Sequence, residues 1–521
     1  MLDALHDEPR IRVIATRHEG GAAFMAAAAA HFTGRPQVCM GTRMVGAANL
    51  AIGIHAAQQD SAPVIALIGQ VASAFRHREA FQEAELDQVF GPLTKWAVEP
   101  TAASDLGAVT LQAARRAVSG RPGPVVIALR EDLLNAEVPP LEASPVEGAR
   151  AAGDLSRCAD VLVAIRAAAQ PVMLLGGGIL AAGATDACVR LAEREGLPVI
   201  CTWRRPDAFP NDHPLYLGQT GNGAPPSVLR RLLASDLIVA IGTRLNEIAT
   251  YGYRVPGPGT KLVHIDVAPE GLGDQRRADI ACIADAGLFL EALLVASGAD
   301  PLDPARLAAN DARHSSDRDR WLAETETSSV GERPGFVDQR VVAHHVRALL
   351  PADAIVTTDA GNFSGWIVRY LRSQGPGTFI GSTSGAMGYA VPAAIAAKLE
   401  RPDRPVVAFS GDGGFLMTGS EIETAVREKA PFVGIVLDNR RYNTIRMHQE
   451  REHPGRPIAT SLGGVDFGGF ARSLGGVGLT VRDEADIPMA LREALATERP
   501  TIIHMSIDPD QVSVADHDAD D

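Results

Sequence analysis

Short apolar runs rich in Val, Ile and Leu alternate with longer, Ala-rich stretches of helical period along the whole chain. The runs fall first at 11–15, 64–68 and 125–129, then at 172–175, 237–241 and 262–265. A third set follows at 354–358, 406–410, 432–437 and 501–506. Strand-length runs separated by helices form βαβ units, whose strands pair in parallel because each helix carries the chain back to the starting end of the sheet. Two stretches break the rhythm: 138–153, with three prolines, and 298–335, charged and lacking a long apolar strand. The pattern predicts an α/β fold of three successive doubly wound parallel-sheet domains, at 1–140, 154–297 and 336–521.

Length agrees, since 521 residues exceed one ordinary core and suit about three domains of roughly 150–200 residues. With 49 basic against 63 acidic residues the net charge is −14, and no block of like charge is long enough to be an interaction tail. Nucleic acid and anionic membrane are therefore excluded as partners. Cys39, Cys158, Cys188, Cys201 and Cys282 form no C-x-x-C pair. They read as reduced thiols of a cytoplasmic protein. No apolar run approaches the roughly 18 residues of a membrane span. The alanines at 26–30 follow Arg17, His18 and Glu19 and predict a close-packed helix, not a signal sequence.

Doubly wound sheets bind ligands at the carboxyl ends of their strands, so the chemistry is expected at the strand ends. The run 406–410 leads directly into Gly411-Asp412-Gly413-Gly414 and then a helical stretch. Glycines there let backbone approach a phosphate, the following helix offers its positive end, and Asp412 supplies the hard oxygen that Mg²⁺ prefers. The next run, 432–437, ends in Asp438-Asn439-Arg440-Arg441. The interval between Asp412 and Asn439 just accommodates a helix and a return strand, so neighbouring parallel strands would bring both side chains to one point. On its own, G-D-G is also an ordinary tight turn.

G-D-G followed at this interval by an Asn pair resembles the motif of the thiamine-diphosphate enzymes, and G-D-G-G-F-L-M-T resembles its acetolactate-synthase version. The resemblance implies that Asp412 and Asn439 bind Mg²⁺ through side chains and Arg441 through its carbonyl, with Gly411, Gly413 and Gly414 against the diphosphate. Asp438 departs from the family, which has Asn there, and Arg440 or Arg441 is expected to offset the added charge. Residues 17–26 resemble R-H-E-Q-G-A-A-x-x-A, which implies that Glu19 contacts N1′ of the aminopyrimidine; otherwise it is a helix cap. The likeness continues through residues 65–71, 80–83, 94–95 and 121–124. Residues 384–394 resemble G-T-M-G-x-x-x-P-A-A, implying that Met387 supports the bent cofactor and that the Gly385 carbonyl accepts from its 4′-amino group. Gly361 and Asn362 resemble the family's strand-end turn near the diphosphate. In such enzymes the two halves of a site come from different subunits, so a homodimer is the smallest active unit expected.

Four departures bear on substrate. The chain begins within what resembles the family's first helix. Arg43 and Met44 stand in a loop where the family has small residues, and Arg43 is a candidate for a substrate carboxylate. Ile248 replaces the second arginine of R-F-D-x-R, and His448 replaces a tryptophan. Phe81 and Gln82 match a family F-Q pair expected to flank the substrate, with His77 nearby. Leu175-Gly176-Gly177-Gly178 leaves flavin (FAD) possible, but 217–222 lacks the Leu-Gly-Met of the flavin-binding synthases, and flavin is not favoured. The expected activity is decarboxylation of a 2-oxo acid on the C2 ylide, with transfer to a carbonyl acceptor or release as an aldehyde. A C–C lyase or hydrolase, a simple decarboxylase of the benzoylformate type, and a non-catalytic cofactor-binding paralogue are the alternatives. A nicotinamide dehydrogenase ranks low, for G-x-G-x-x-G is absent after the first strand.

Overall fold

The computed structural model describes residues 1–515 except 140, 142–145, 147, 274–275, 300–301 and 332–334. Parts of both expected connecting stretches and the end of the third expected domain, 516–521, lie outside the described residues. Three sheets follow one another, and every strand pairing within them is parallel.

The first sheet contains β1 (Gln37–Thr42), β2 (Val64–Gln70), β3 (Trp96–Val98) and β4 (Val125–Arg130), in the order β1-β2-β4-β3. The second contains β5 (Pro171–Leu175), β6 (Val199–Cys201), β7 (Tyr216–Gln219), β8 (Leu237–Ile241), β9 (Lys261–Asp266) and β10 (Ile280–Ile283), in the order β10-β9-β8-β5-β6-β7. The third contains β11 (Ile355–Thr358), β12 (Phe379–Gly381), β13 (Val406–Gly411), β14 (Val433–Asp438), β15 (Val477–Val481) and β16 (Thr501–Ser506), in the order β12-β11-β13-β14-β16-β15.

Double winding is visible in the cores. Alternate side chains of β13 enter different clusters, Val406 and Ala408 on one face and Val407 and Phe409 on the other. Both faces of the third sheet are thus buried, which is why its strands read as continuous apolar runs. One face is covered by helix Ala390–Glu400 and, from the first domain, by Phe24, Met25, Ala28 and Ala29 of helix Glu19–Thr33. Phe24 meets Tyr389 edge-on at 5.4 Å between ring centroids. The alanines at 26–30 are buried, as a close-packed helix requires. His18 caps the start of that helix by accepting from Gly20 N at 3.0 Å, and left-handed Gly34 ends it.

Two expectations are corrected. Residues 11–15 are not a strand: no β pairing is made there, and Arg12 reaches across to Glu428 of the third domain at 2.8 Å while Ile14 packs on that domain's core. β-branched residues favour extended backbone, but a strand also needs a partner edge. The stretch 298–335 includes helix Pro304–Glu324, whose Trp321 is buried against Tyr216 and closes the middle domain's core.

Candidate functional site

In the third sheet β11 lies between β12 and β13, so the strand order reverses there, the point at which doubly wound sheets bind their ligands. A cavity of about 280 Å³ opens at this point and along the end of β14. Its wall includes Gly361, Asn362, Gly385, Met387, Gly411, Asp412, Gly413, Gly414, Asn439 and Arg441. Ten residues singled out from four separate stretches of sequence thus surround one space. Gly385 has φ +69° with no atom within 4 Å of where a Cβ would sit, and at Gly414 a Cβ would lie 2.4 Å from Asp359 Oδ2. Backbone, not side chain, therefore forms these parts of the wall.

The register Gly411↔Leu437 puts Asp412 beside Asp438, with Asn439 one residue beyond. Burial and the neighbouring Asp438 push the Asp412 carboxyl up to about 7. Burial also works against ionisation of Asp438, but hydrogen bonds from His504 and the Arg440 backbone override it and hold that carboxyl below its ordinary range. His504 Nε2 on β16 lies 2.9 Å from Asp438 Oδ2. This corrects the expected charge balance, since Arg441 instead pairs with Asp510 at 2.8 Å and Arg440 offers Asp438 only its backbone N–H. Asn439 Oδ1 accepts from Arg441 N at 3.0 Å, which folds the turn so that Asn439 and Arg441 share the cavity wall. Asn443 Oδ1, also on that wall, is buried without a hydrogen-bond partner. Hard oxygen donors, a carboxyl with raised proton affinity and an orphaned amide oxygen together suit a divalent cation.

Behind these turns Asp359 Oδ1 accepts from Ala360 N at 3.0 Å and Tyr389 N at 3.1 Å, tying the β11 turn to the Met387 turn. Arg204 of the middle domain donates to the Asp359 carbonyl at 3.0 Å. Its neighbour Arg205 pairs at 2.9 Å with Asp60 of the first domain, which in turn accepts from Thr383 N. All three domains therefore meet beneath the cavity. Adjacent buried arginines following a strand were the available sequence signal for this junction, as was Asp359 at the end of β11.

The remaining candidates do not line the cavity. Glu19 is half-buried at the start of its helix, and its Oε2 accepts from Asn49 Nδ2 at 3.0 Å. Arg43 donates to the Phe81 carbonyl at 2.9 Å and lies 3.4 Å from Glu131, so its charge is already engaged. Met44 N donates to the carbonyl of Gln82, whose φ is +62°. These contacts hold Arg43, Phe81 and Gln82 together, with the Phe81 ring 76% exposed. His77 is exposed, 3.5 Å from Glu85. The Glu83 and Glu85 carboxylates beside it are already paired with buried Arg76. His448 is exposed on helix Asn443–Glu452, its Nδ1 2.8 Å from Arg451.

In the middle domain the glycine run at the end of β5 is occupied by packing. A Cβ on Gly176 would lie 2.3 Å from the Gly242 carbonyl, and one on Gly178 would lie 2.6 Å from Gly242 Cα. Gly218 and Gly221 likewise abut Trp321 and Trp203.

Comparison with known proteins finds three family models in succession. The N-terminal TPP-binding domain of thiamine pyrophosphate enzymes matches residues 1–89, the central domain 158–293 and the C-terminal TPP-binding domain 359–505. The chain is 32% identical to a probable acetolactate synthase large subunit of Methanocaldococcus jannaschii, over 97% of this chain and 87% of that one. It is 33% identical to the acetolactate synthase large subunit of Parasynechococcus marenigrum, over 97% and 82%, and 30% identical to that of Corynebacterium glutamicum, over 98% and 82%.

Proposed function

We propose, from the premise that this chain belongs to the thiamine-diphosphate enzymes of the acetolactate-synthase large-subunit type, a specific assignment of its cofactor site and substrates. The chain is a thiamine-diphosphate-dependent decarboxylase and carboligase resembling acetolactate synthase. The proposed donor is pyruvate or a close 2-oxo acid, and the proposed acceptor a second 2-oxo acid or an aldehyde.

When bound, thiamine diphosphate supplies a C2 nucleophile and an electron sink for the carbon–carbon bond broken as CO₂ leaves. The protein's residues bind, orient and manage protons. Asp412, Asn439 and the Arg441 carbonyl would hold Mg²⁺, and Gly411, Gly413 and Gly414 would admit the diphosphate. Gly361 and Asn362 border the same space, where Thr444 fixes the Asn362 amide by donating to its Oδ1 at 2.8 Å. Met387 would support the bent cofactor, and the Gly385 carbonyl would accept from its 4′-amino group. Glu19 would hold a proton against N1′, a hydrogen bond that eases loss of a proton from the opposite amino group. The observation that carries the assignment is the meeting of Asp412 and Asn439 on one cavity wall, delivered by neighbouring parallel strands.

Glu19 stands off that wall, so the proposed unit is a homo-oligomer in which a second copy's first domain completes each site. Exposed Val45, Ile52, Phe81, Leu416, Met417 and Ile445 offer apolar surface for such contacts. Flavin is not part of the proposal, because the glycines that would face it pack against Gly242, Trp203 and Trp321. Five free, buried cysteines support a reducing compartment such as the cytoplasm. Among the described residues, no helix is long and apolar enough to cross a membrane.

A second reading, a plain decarboxylase or C–C lyase on the same cofactor, is favoured by Ile248 standing where related synthases have an arginine for the second 2-oxo acid. The engaged Arg43 does not replace that charge. Incubation with Mg²⁺, thiamine diphosphate and pyruvate, alone and with a second 2-oxo acid or aldehyde, tests both. Coupled products support the carboligase, aldehyde alone supports the plain decarboxylase, and no CO₂ from any 2-oxo acid rejects both of these and leaves only the C–C lyase.

A further inference from the structure

We infer that Glu421 is a positioning residue for Glu19, acting through the backbone of Arg17 and His18; the inference rests on the reading of Glu19 as the group that activates the cofactor. Glu421 is fully buried, at the end of the single turn Gly419–Glu421 that follows helix Asp412–Thr418. Its carboxylate crosses from the third domain into the first. Oε1 accepts from Arg17 N and His18 N, each at 3.0 Å, and Oε2 accepts from Arg17 N at 3.1 Å and Thr424 Oγ1 at 2.5 Å.

Those two N–H groups precede Glu19 directly and lie outside any strand ladder, so Glu421 sets where the chain enters its helix. Gly21, on the first turn of the helix, is pressed against the same carboxylate: a Cβ there would lie 2.6 Å from Glu421 Oε1. The anchor also has a fixed footing. Thr418 Oγ1 donates to the Gly388 carbonyl at 2.7 Å, next to Met387, so one segment runs from Asp412 past the Met387 turn to Glu421. A carboxylate suits this place because every hydrogen-bonding group facing it is a donor. Glutamine has nearly the same shape but must turn an NH₂ toward an N–H or a hydroxyl, losing at least one bond.

The consequence is functional and not only structural, because proton sharing depends on geometry. A misplacement of ~1 Å can cost about a hundredfold in rate. The test uses the full-length protein with saturating Mg²⁺ and thiamine diphosphate. It reads hydrogen–deuterium exchange at the cofactor C2 by proton NMR, alongside Tm, cofactor Kd and amide exchange at residues 17–21. Glu421→Gln is expected to slow C2 exchange about tenfold or more while Kd and Tm stay near wild type, and to expose the Arg17 and His18 amides. Gly21→Ala, which displaces the carboxylate while keeping it, is expected to do the same. Wild-type C2 exchange in folded Glu421→Gln overturns the inference, as do losses that merely follow a fall in Tm or cofactor affinity. Unprotected Arg17 and His18 amides in the wild type overturn it even if both variants misfold. Glu19→Gln separates the two layers: slow exchange there with normal exchange in Glu421→Gln refutes the anchor alone, whereas normal exchange in Glu19→Gln removes the premise and the inference with it.

Discussion

His504 Nε2 and Asp438 Oδ2 lie 2.9 Å apart across the adjacent strands β14 and β16, directly behind the Asp412–Asn439 pair. The partnership explains how an aspartate is accommodated where related enzymes have asparagine. Beside Asp412, Asp438 adds a second buried carboxylate, and His504 lets it ionise at Asp412's expense. Phe467 packs edge-on against the His504 ring at 5.0 Å and keeps it in place.

Removing one partner should strand the other. His504→Leu is expected to cost about 2 kcal/mol of stability, the usual scale for a lost hydrogen bond to a charged group. His504→Leu combined with Asp438→Asn should recover most of that loss, because the amide needs no counter-charge. Urea unfolding of both single variants and the double variant measures the coupling.

Packing between helices Glu19–Thr33 and Arg43–Asp60 gives a second prediction. Helix Arg43–Asp60 crosses helix Glu19–Thr33 where a Cβ on Gly53 would lie 2.3 Å from Ala23 Cβ and 2.8 Å from the Ala23 backbone carbon. Alanine gains about 1 kcal/mol in helix propensity, but overpacking costs about 1–3 kcal/mol and here the nearest obstacles include backbone. Gly53→Ala should therefore lower stability by up to about 2 kcal/mol despite the better helix former. Because Glu19 and Asn49 sit on these two helices, activity should fall as well. Thermal unfolding and steady-state rates check both.

Buried Asp207 yields a pH dependence. Burial pushes its carboxyl from 3.8 up to about 6, although Gly377 N donates to it at 3.0 Å. In this window the folded protein holds a proton that the unfolded chain has released, so stability falls as pH rises. The contribution is fully present below about 3.8 and is lost by passage through about 6. Relative to Asp207→Asn, wild type should thus lose stability steadily between those values and keep a constant gap above them. Asp359, also raised to about 6 by burial, adds a parallel slope to both proteins and cancels in the difference. Denaturant titrations at several pH values read it; a gap independent of pH contradicts the assignment.

The part of the site that was legible from sequence is the part built from local turns. Asp412 and Asn439 end strands whose apolar runs are unmistakable, and their neighbours are glycines with little reason to cluster otherwise. The sheets were legible where strands are central: β2, β4, β5, β8, β9, β11, β13, β14 and β16 were expected within a residue or two. The remaining strands, mostly short or at sheet edges, were missed, and residues 11–15 resembled a strand without having a partner. Helix Pro304–Glu324 carries little apolar periodicity because most of its surface is polar, with Trp321 among its few anchors. His504 opposite Asp438 and Glu421 under Arg17 depend on long-range register and domain contact, which no local pattern encodes.

The central claim is that Asp412 and Asn439 hold thiamine diphosphate through Mg²⁺ while Glu19 activates it. Calorimetric titration of thiamine diphosphate, with and without Mg²⁺, into wild type, Asp412→Ala and Glu19→Gln tests it most directly. Asp412→Ala also relieves repulsion from Asp438, and its Tm separates a lost metal ligand from a weakened fold. Wild type should bind only with Mg²⁺, and Asp412→Ala should weaken binding about a hundredfold, the scale of a lost metal ligand or its support. Glu19→Gln should bind within a few-fold of wild type yet turn over no substrate. Binding by Asp412→Ala as tight as wild type, or wild-type binding indifferent to Mg²⁺, would contradict the account.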